Sequence, residues 1–212
     1  LKNEYSRVQS FNADNSLILA RSTDANWYLY DAQSLEPLGR IPVNVEPRWD
    51  PADPGLLLYC DEARLMAYNL RSGVASAVHD FAADLPGQRL SAVWTRHEGS
   101  PSRDGRFWGL MAEDEEWQTV AYLVYDRQSD RVIASRDLSR WPDEDREIDS
   151  VTISPLGTYF LAYMDKYCEE GPGSGSDPCG LMVYDQNLQN GRSQVRAIGH
   201  SDLALDASGR EV

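Results

Sequence analysis

A unit of about fifty residues recurs along this chain, and the repeat restricts the possible folds more than any other feature. Each unit has a short strand, a polar turn, an apolar strand, a loop, a strand ending in Tyr-Asp or Tyr-Asn, and a last strand. The turn residues lie 40, 50, 52 and 52 residues apart, at Asn15, Gly55, Gly105, Gly157 and Gly209. A second mark keeps the same order, at Tyr30, Tyr68, Tyr125 and Tyr184. Two independent marks in phase indicate a true internal repeat.

Both marks have a physical reason. Gly and Asn tolerate the positive φ that a tight hairpin requires. The Asp or Asn after each Tyr can hydrogen-bond its own backbone and begin the next turn. The Tyr supplies a large apolar body with a polar tip at the end of a strand. The repeat therefore predicts a series of antiparallel hairpins.

The second strand of the units is apolar without interruption, as in residues 17–19, 56–59 and 159–163. Such runs indicate strands that are covered on both faces, whereas a sheet with one wet face alternates apolar and polar residues. Sheets stacked face against face explain both the double burial and the short period. The sequence therefore predicts an all-β fold of the β-propeller type, built from four-stranded antiparallel blades. A β-sandwich with chance spacing is the alternative.

The units divide the chain, as one propeller region over residues 1–212, into four complete blades and the start of a fifth. We expect the blades at residues 7–41, 46–81, 91–138 and 149–199, with the partial unit at 200–212. Four units and one hairpin do not close a ring in the usual way, because closure removes the edge strands. We expect the segment to belong to a larger ring of about six to eight blades, with the remaining blades outside it.

Composition excludes several classes of function. The formal net charge is −14 and the pI is near 4.5, which argues against nucleic-acid binding and against anionic membranes. The longest apolar runs, such as Leu56–Cys60, are too short to span a bilayer, so we expect no membrane insertion. Hydrophobic residues make up 42% of the chain, enough for a real core.

Two of the three cysteines, Cys168 and Cys179, bracket the Gly-, Ser- and Pro-rich loop 169–178. A disulfide across this loop would stabilise the folded state by about 3 kcal/mol, because it reduces the conformational entropy of the unfolded chain. We predict this disulfide, and with it an oxidising, extracytoplasmic location, either periplasmic or secreted. Two unpaired thiols are the alternative. Cys60 ends an apolar strand and is expected to be a small buried hydrophobe.

The hairpin turns and the Tyr-Asp pairs resemble those of TolB-like and WD40-like propeller repeats. The resemblance rests on Ser102-Arg103-Asp104-Gly105, on Ser154-Pro155-Leu156-Gly157, and on Tyr-Asp at positions 30, 125 and 184. It covers nearly the whole chain, although the first two turns differ and the Gly-His and Trp-Asp signature of true WD40 repeats is missing. The resemblance implies a superfamily of interaction scaffolds, accessory domains of prolyl-oligopeptidase-like proteases, and oligogalacturonate-lyase-like enzymes. Fold alone does not choose among these functions.

A channel-mouth site is one candidate. His200-Ser201-Asp202 precedes the first strand of the fifth unit, and the resemblance implies that lyase-like relatives hold a divalent metal with histidines in such a channel. The corresponding positions here offer Gln9, Arg48 and Asp149. One imidazole with scattered oxygens is a weak metal site, so we expect no metal and no cofactor; a divalent cation belongs to the enzymatic alternative. The candidate binding residues at this mouth are His200, Asp202, Arg48 and Trp49, and the alternative for His200 is a loop histidine bonded to a carbonyl.

Tryptophans beside acidic loops are a second candidate. Trp117 follows the acidic run Glu113–Glu116, and Trp141 precedes the run at residues 143–149. An exposed Trp beside acids can stack on a sugar or hold a protein partner. Packing between blades is the alternative for the tryptophans, and solvated loop charge is the alternative for the acids.

The resulting functional hypothesis is a non-enzymatic propeller module that presents loops and a channel mouth to a protein or carbohydrate partner. The loops expected to bind are Glu113–Thr119, Trp141–Asp149 and Glu169–Gly180, because they are longer than a hairpin needs. No catalytic residue is predicted, since the chain lacks a Gly-x-Ser-x-Gly elbow. The alternatives are a polysaccharide-lyase-like enzyme with a channel-mouth metal, and an accessory propeller of a prolyl-oligopeptidase-like protease.

Overall fold

The computed structural model describes residues 9–43, 45–96, 99–169, 171–196 and 203–212, and its strands form four antiparallel sheets, here called blades 1 to 4. Blade 1 contains β1 (Leu17–Arg21), β2 (Trp27–Asp31) and β3 (Pro37–Ile41). Blade 2 contains β4 (Val45–Trp49), β5 (Leu56–Asp61), β6 (Arg64–Asn69) and β7 (Val74–Asp80). Blade 3 contains β8 (Leu90–Trp94), β9 (Phe107–Asp114), β10 (Thr119–Asp126) and β11 (Arg131–Asp137). Blade 4 contains β12 (Ile148–Ile153), β13 (Tyr159–Met164), β14 (Leu181–Asp185) and β15 (Arg192–Val195).

The strands of each blade pair in chain order, which confirms the predicted all-β propeller blades. In blade 1 the position of a fourth strand is held by Phe11, which forms a bridge with Ile18. The first two residues of the predicted blade 7–41 lie outside the described residues. The start of the fifth unit forms a bridge between Leu205 and Glu211. Two short 3-10 turns, Phe81–Ala83 and Asp143–Asp145, lie in the connections between blades. Within the described ranges no helix is long and apolar enough to cross a membrane.

The turn mark folds as predicted at four of its five positions. Asn15, Gly105, Gly157 and Gly209 have φ between 58° and 80°, in the left-handed region that Gly and Asn tolerate, whereas Gly55 has no positive φ. In blade 3 the Ser102 hydroxyl also accepts a hydrogen bond from the Phe107 amide at 2.8 Å, and in blade 4 Ser154 does the same for Tyr159 at 2.9 Å. The turns of blades 3 and 4 therefore share one hairpin geometry, and the turn of blade 2 departs from the predicted conformation.

The Tyr-Asp mark also folds as predicted, because the residue after each Tyr caps the next turn. Its side-chain oxygen accepts hydrogen bonds from backbone amides two to four residues further along, at Asp31, Asn69, Asp126 and Asp185. Asp185 also accepts from the side-chain amide of Asn190. The preceding tyrosines Tyr125 and Tyr184 are fully buried. In blade 3, Asp126 also accepts two hydrogen bonds from Arg106, each 2.8 Å long.

The hydrophobic core is divided into layers, and each layer lies between two consecutive blades. The layer between blades 1 and 2 includes Leu29 and Leu57, and the layer between blades 2 and 3 includes Leu58 and Trp108. The layer between blades 3 and 4 consists of the buried residues Met111, Tyr122, Val124, Leu138, Ile148, Val151, Ile153, Phe160, Ala162, Met164, Met182, Tyr184 and Leu188. Blades therefore stack in chain order, each covered by its neighbour.

The first strands form the inner edge of this stack. The Arg48 guanidinium of β4 donates to the Gly99 carbonyl, and the Ser100 amide donates to the Thr152 hydroxyl of β12 at 3.0 Å, so the segment that follows β8 contacts the first strands of both neighbouring blades. Gly109 lies so close to blade 4 that a Cβ there would stand 2.8 Å from the Thr152 carbonyl oxygen. The last strands β7 and β11, by contrast, are largely exposed. This is the arrangement of a fan, with first strands inside and last strands at the rim.

A histidine joins blades 2 and 3 near the rim. The two ring nitrogens of His79 lie 2.7 Å from a carboxylate oxygen of Asp130 in blade 3 and 2.7 Å from one of Asp84. The ring packs between Phe81 and Tyr125, with centroid distances of 4.7 Å to each. Contact with His79, together with the Tyr125 hydroxyl, lowers the pKa of Asp130. His79 therefore adds a polar contact to the apolar layer between these blades.

Replacing Asp126 tests the importance of the Tyr-Asp mark for stability. The bidentate Arg106 contact, aided by Ser129 and the Gln128 amide, lowers the pKa of Asp126 to about 2. A depressed carboxyl pKa stabilises the fold above about pH 4, and this contribution is lost as the pH falls towards 2. We expect Asp126→Asn to cost on the order of 1 kcal/mol at pH 6 and to flatten the loss of stability between pH 5 and 2.

Urea unfolding at a series of pH values measures both effects. Arg106→Gln is the matched variant, and it should flatten the same part of the profile. A variant that loses as much stability as the wild type between pH 5 and 2 would contradict the assignment.

Candidate binding surface

The three loops that the sequence singled out lie at the same ends of neighbouring strands. Loop 113–119 joins β9 to β10, segment 141–149 leads into β12, and loop 169–180 precedes β14. The Lys166 ammonium connects the second and third, at 2.7 Å from Asp145 and 3.3 Å from Asp177. These contacts raise the pKa of Lys166. We call the surface formed by the three loops the loop face.

The first and second loops enclose a recess of about 320 Å³, which we call the Trp117 recess. It lies between blades 3 and 4, at the start of β12 and the end of β13. Its lining residues are Arg96, Trp117, Gln118, Arg146, Glu147, Ile148, Asp149 and Asp165.

Trp117 is the aromatic wall of this recess, and 59% of its surface is exposed. Its ring lies 6.0 Å from that of Trp94, centroid to centroid. The Trp94 indole in turn donates a 2.9 Å hydrogen bond to Glu113. Glu113 is buried, unlike the solvated loop acid that the sequence suggested, and burial raises the pKa of its carboxyl. Trp117 thus lies beside a partly buried indole that is hydrogen-bonded to a buried carboxylate.

The basic and acidic side chains of the recess differ in whether they form hydrogen bonds or ion pairs. Arg96 donates to the Ile148 carbonyl and lies 3.9 Å from Glu113, while Arg146 forms an ion pair with Asp143. The carboxylates of Glu147, Asp149 and Asp165 form no side-chain hydrogen bond or ion pair with any residue in the described ranges. Within the described ranges, the recess therefore exposes acids without a partner beside arginines whose terminal nitrogens are engaged, while the buried Nε of Arg146 has no hydrogen-bond partner there.

The third loop is closed by the predicted disulfide. Cys168 and Cys179 are bonded at an S–S distance of 2.08 Å, which confirms the prediction. The Ser193 hydroxyl fastens the loop to β15, because it accepts from the Gly173 amide at 2.7 Å and donates to the Cys179 carbonyl at 2.8 Å. Beside the disulfide, Tyr167 is 59% exposed. The loop face thus carries two exposed aromatic side chains.

The other predicted site residues lie elsewhere. Arg48 and Trp49 are buried at the inner edge, where the Trp49 indole donates to the Ser10 carbonyl at 3.0 Å. Both contribute to the wall of a second recess of about 360 Å³ beside the hairpin turns of blades 1 to 3. Trp141 is half-buried against the layer between blades 3 and 4, with the Arg136 guanidinium 5.3 Å from its ring. His200 and Asp202 lie outside the described residues.

The described residues bear on the predictions about metal binding and about the free cysteine. Among the residues that the structure describes, no group of three or more His, Cys, Asp and Glu side chains is arranged to hold a metal ion. Cys60 is buried as predicted, and burial raises the pKa of its thiol. Arg96 and Asp165 of the Trp117 recess were not predicted, and Arg146 was included only as part of the loop Trp141–Asp149. The available signal was the position of Asp165, directly after an apolar strand.

No protein-family model and no curated protein sequence matches the chain. A solved structure, an oligogalacturonate lyase in complex with manganese, is similar with a TM-score of 0.58 and 16% sequence identity. The match covers 96% of this chain and 55% of that one, so the chain spans about half the length of this neighbour. At this identity the likeness shows the fold alone. Together with the stacked four-stranded sheets, it places the chain among proteins with a propeller-like fold.

Removing the disulfide tests how firmly the third loop is held. We expect the double variant Cys168→Ser/Cys179→Ser to lower the free energy of unfolding by about 3 kcal/mol, because the unfolded chain regains the entropy of the open loop. Urea unfolding of both proteins, with Cys60→Ala as the control that keeps the disulfide, measures the difference. A loss below about 1 kcal/mol would show that the other contacts of the loop suffice.

Proposed function

We propose that this chain is a non-enzymatic propeller module, of the TolB-like and WD40-like kind, that binds a protein partner through its loop face. The observation that carries the proposal is the convergence of three long loops on one face, with Trp117 and Tyr167 exposed there. Exposed Trp and Tyr side chains are the residues most enriched among the strongest contacts of protein interfaces.

The support beneath these aromatics fits binding by a preformed surface. The Lys166 contacts, the disulfide and the Trp94–Glu113 pair hold the three loops against packed blades. Loops held by a rigid scaffold lose little conformational entropy when a partner binds. The disulfide also supports an extracytoplasmic location, since such bonds persist in oxidising compartments.

A carbohydrate-active enzyme is the second candidate, favoured by the likeness to an oligogalacturonate lyase that was solved with manganese. The described residues do not fit a manganese site, because none of them form a group of metal ligands and the Arg48 guanidinium is bonded to the Gly99 carbonyl. His200 and Asp202 remain candidates outside the described ranges. An accessory propeller of a prolyl-oligopeptidase-like protease is the third candidate, with its catalytic part outside this segment.

Affinity capture with matched variants tests the proposal. The immobilised chain is exposed to the extracytoplasmic protein fraction of its source cells, and captured proteins are quantified by mass spectrometry. A loop-face variant, Trp117→Asn/Tyr167→Ser, is compared with Arg103→Gln, which alters the second recess at the inner edge. Asn suits position 117, where φ is 61°.

We expect a partner whose recovery falls about tenfold with the loop-face variant and is unchanged with Arg103→Gln. The interaction is then repeated with the purified partner. If only Arg103→Gln abolished capture, the result would indicate that the partner binds at the inner edge and not at the loop face. Cleavage of oligogalacturonate by the chain with added manganese would contradict a non-enzymatic module and establish the second candidate.

A further inference from the structure

We propose that the Trp117 recess takes a basic side chain, Arg or Lys, from a protein partner. This inference rests on the proposed function and names the chemistry of the partner. It follows from the charges that the recess leaves unpaired, from its aromatic wall and from the charge of the whole chain.

The first argument is the set of groups that still lack a partner. Glu147, Asp149 and Asp165 lie at the start of β12 and the end of β13, where the Asp165 amide bonds to the Glu147 carbonyl at 2.9 Å. These three residues line the recess, and their carboxylates form no hydrogen bond or ion pair with any residue in the described ranges. Carboxylates accept hydrogen bonds and do not donate them, so the complementary ligand group is a donor and preferably a cation.

The second argument concerns the two arginines, which would otherwise suggest an anionic ligand. Arg146 is largely buried and paired with Asp143, and Arg96 donates to the Ile148 carbonyl beside Glu113. Each is thus engaged by oxygens of the protein itself. An incoming anion would have to compete with these contacts and would meet three free carboxylates.

The third argument is the indole face of Trp117. A guanidinium or ammonium over a Trp ring gains a cation–π attraction, and Arg also stacks on the ring plane. The Trp94 ring, itself hydrogen-bonded to Glu113, lies 6.0 Å from the Trp117 ring, so the indole has an aromatic neighbour on the protein side. A volume of about 320 Å³ is small for a ligand pocket and suits one long side chain.

The net charge of the chain also favours a basic partner. At −14 it attracts a basic partner over distances beyond direct contact and repels an acidic one. Association through the recess should therefore weaken as salt is raised.

The test uses two labelled peptides that differ only in charge. One contains two arginines in a Gly-rich sequence, and the other has citrulline, the uncharged isostere, at both places. Binding to the intact chain is measured by fluorescence anisotropy at low ionic strength. We expect the arginine peptide to bind about tenfold more tightly than the citrulline peptide.

Variants separate the recess from the general acidity of the chain. Trp117→Asn and the double variant Asp149→Asn/Asp165→Asn should each weaken arginine-peptide binding about fivefold. Glu116→Gln is the matched control, because it removes an exposed acid from the same loop outside the recess, and it should change binding less than about twofold. Circular dichroism confirms that each variant is folded.

Three results would overturn the inference. The first is that the two peptides bind equally or that neither binds. The second is that Glu116→Gln weakens binding as much as the double variant does. The third is that a neutral oligosaccharide binds more tightly than the arginine peptide and that its binding depends on Trp117. If a captured partner depends on Trp117 while the peptides bind equally, the proposed function stands and only the basic side chain is wrong. If no partner depends on the loop face, the proposed function fails whatever the peptides show.

Discussion

Burial of sheet faces by the neighbouring sheets is the interaction on which the rest of this structure depends. The central strands of blades 2, 3 and 4 are buried on both faces, so these blades are stable only between neighbours. In blade 1 buried and partly buried residues alternate along β2, and residues 17–19 are not covered on both faces, contrary to the prediction from the sequence. In the layer between blades 3 and 4, Tyr122 lies with Phe160 and Tyr184 at centroid distances of 4.9 and 5.9 Å. These contacts fix the spacing of the blades, and with it the positions of the loops that cross from one blade to the next.

Polar contacts at the inner edge set how the blades align. The Glu46 carboxylate is buried and accepts from the Thr95 amide at 3.0 Å and from the Thr95 hydroxyl at 2.7 Å. Arg48 reaches the carbonyl of Gly99 in the same segment. Buried charged groups are costly unless they are hydrogen-bonded, so these bonds favour one alignment of blades 2 and 3 over others.

Much of the fold followed from the sequence because the repeat and the turn chemistry are local. The predicted marks Tyr30 and Tyr184 each lie one residue before the end of a strand, in β2 (Trp27–Asp31) and β14 (Leu181–Asp185). The sequence did not predict which single aromatic side chains are exposed. In a stack of blades both faces of a strand can be covered, so periodicity does not separate Trp49, buried between blades 1 and 2, from Trp117 at the surface.

The Trp117 recess could be predicted from the sequence only in part. Its loops could be selected by their length and Trp117 by its acidic surroundings, both of which are local properties. Arg96 lies in a segment that leaves the ladder of β8 and reaches β12 through the Ile148 carbonyl. That contact joins residues 52 positions apart, in different blades, and depends on how the blades stack. The recess therefore needed the three-dimensional arrangement.

Distances between spin labels on the last strands test the radial stack most directly. Ser76, Ile133 and Arg192 are exposed on β7, β11 and β15, and labelled double-cysteine variants (with Cys60→Ala) give pairwise distances by electron–electron double resonance. A fan predicts two similar distances between neighbouring blades and a longer one between positions 76 and 192. A distance between 76 and 192 that is equal to or shorter than the neighbour distances would contradict the fan and the layered core with it.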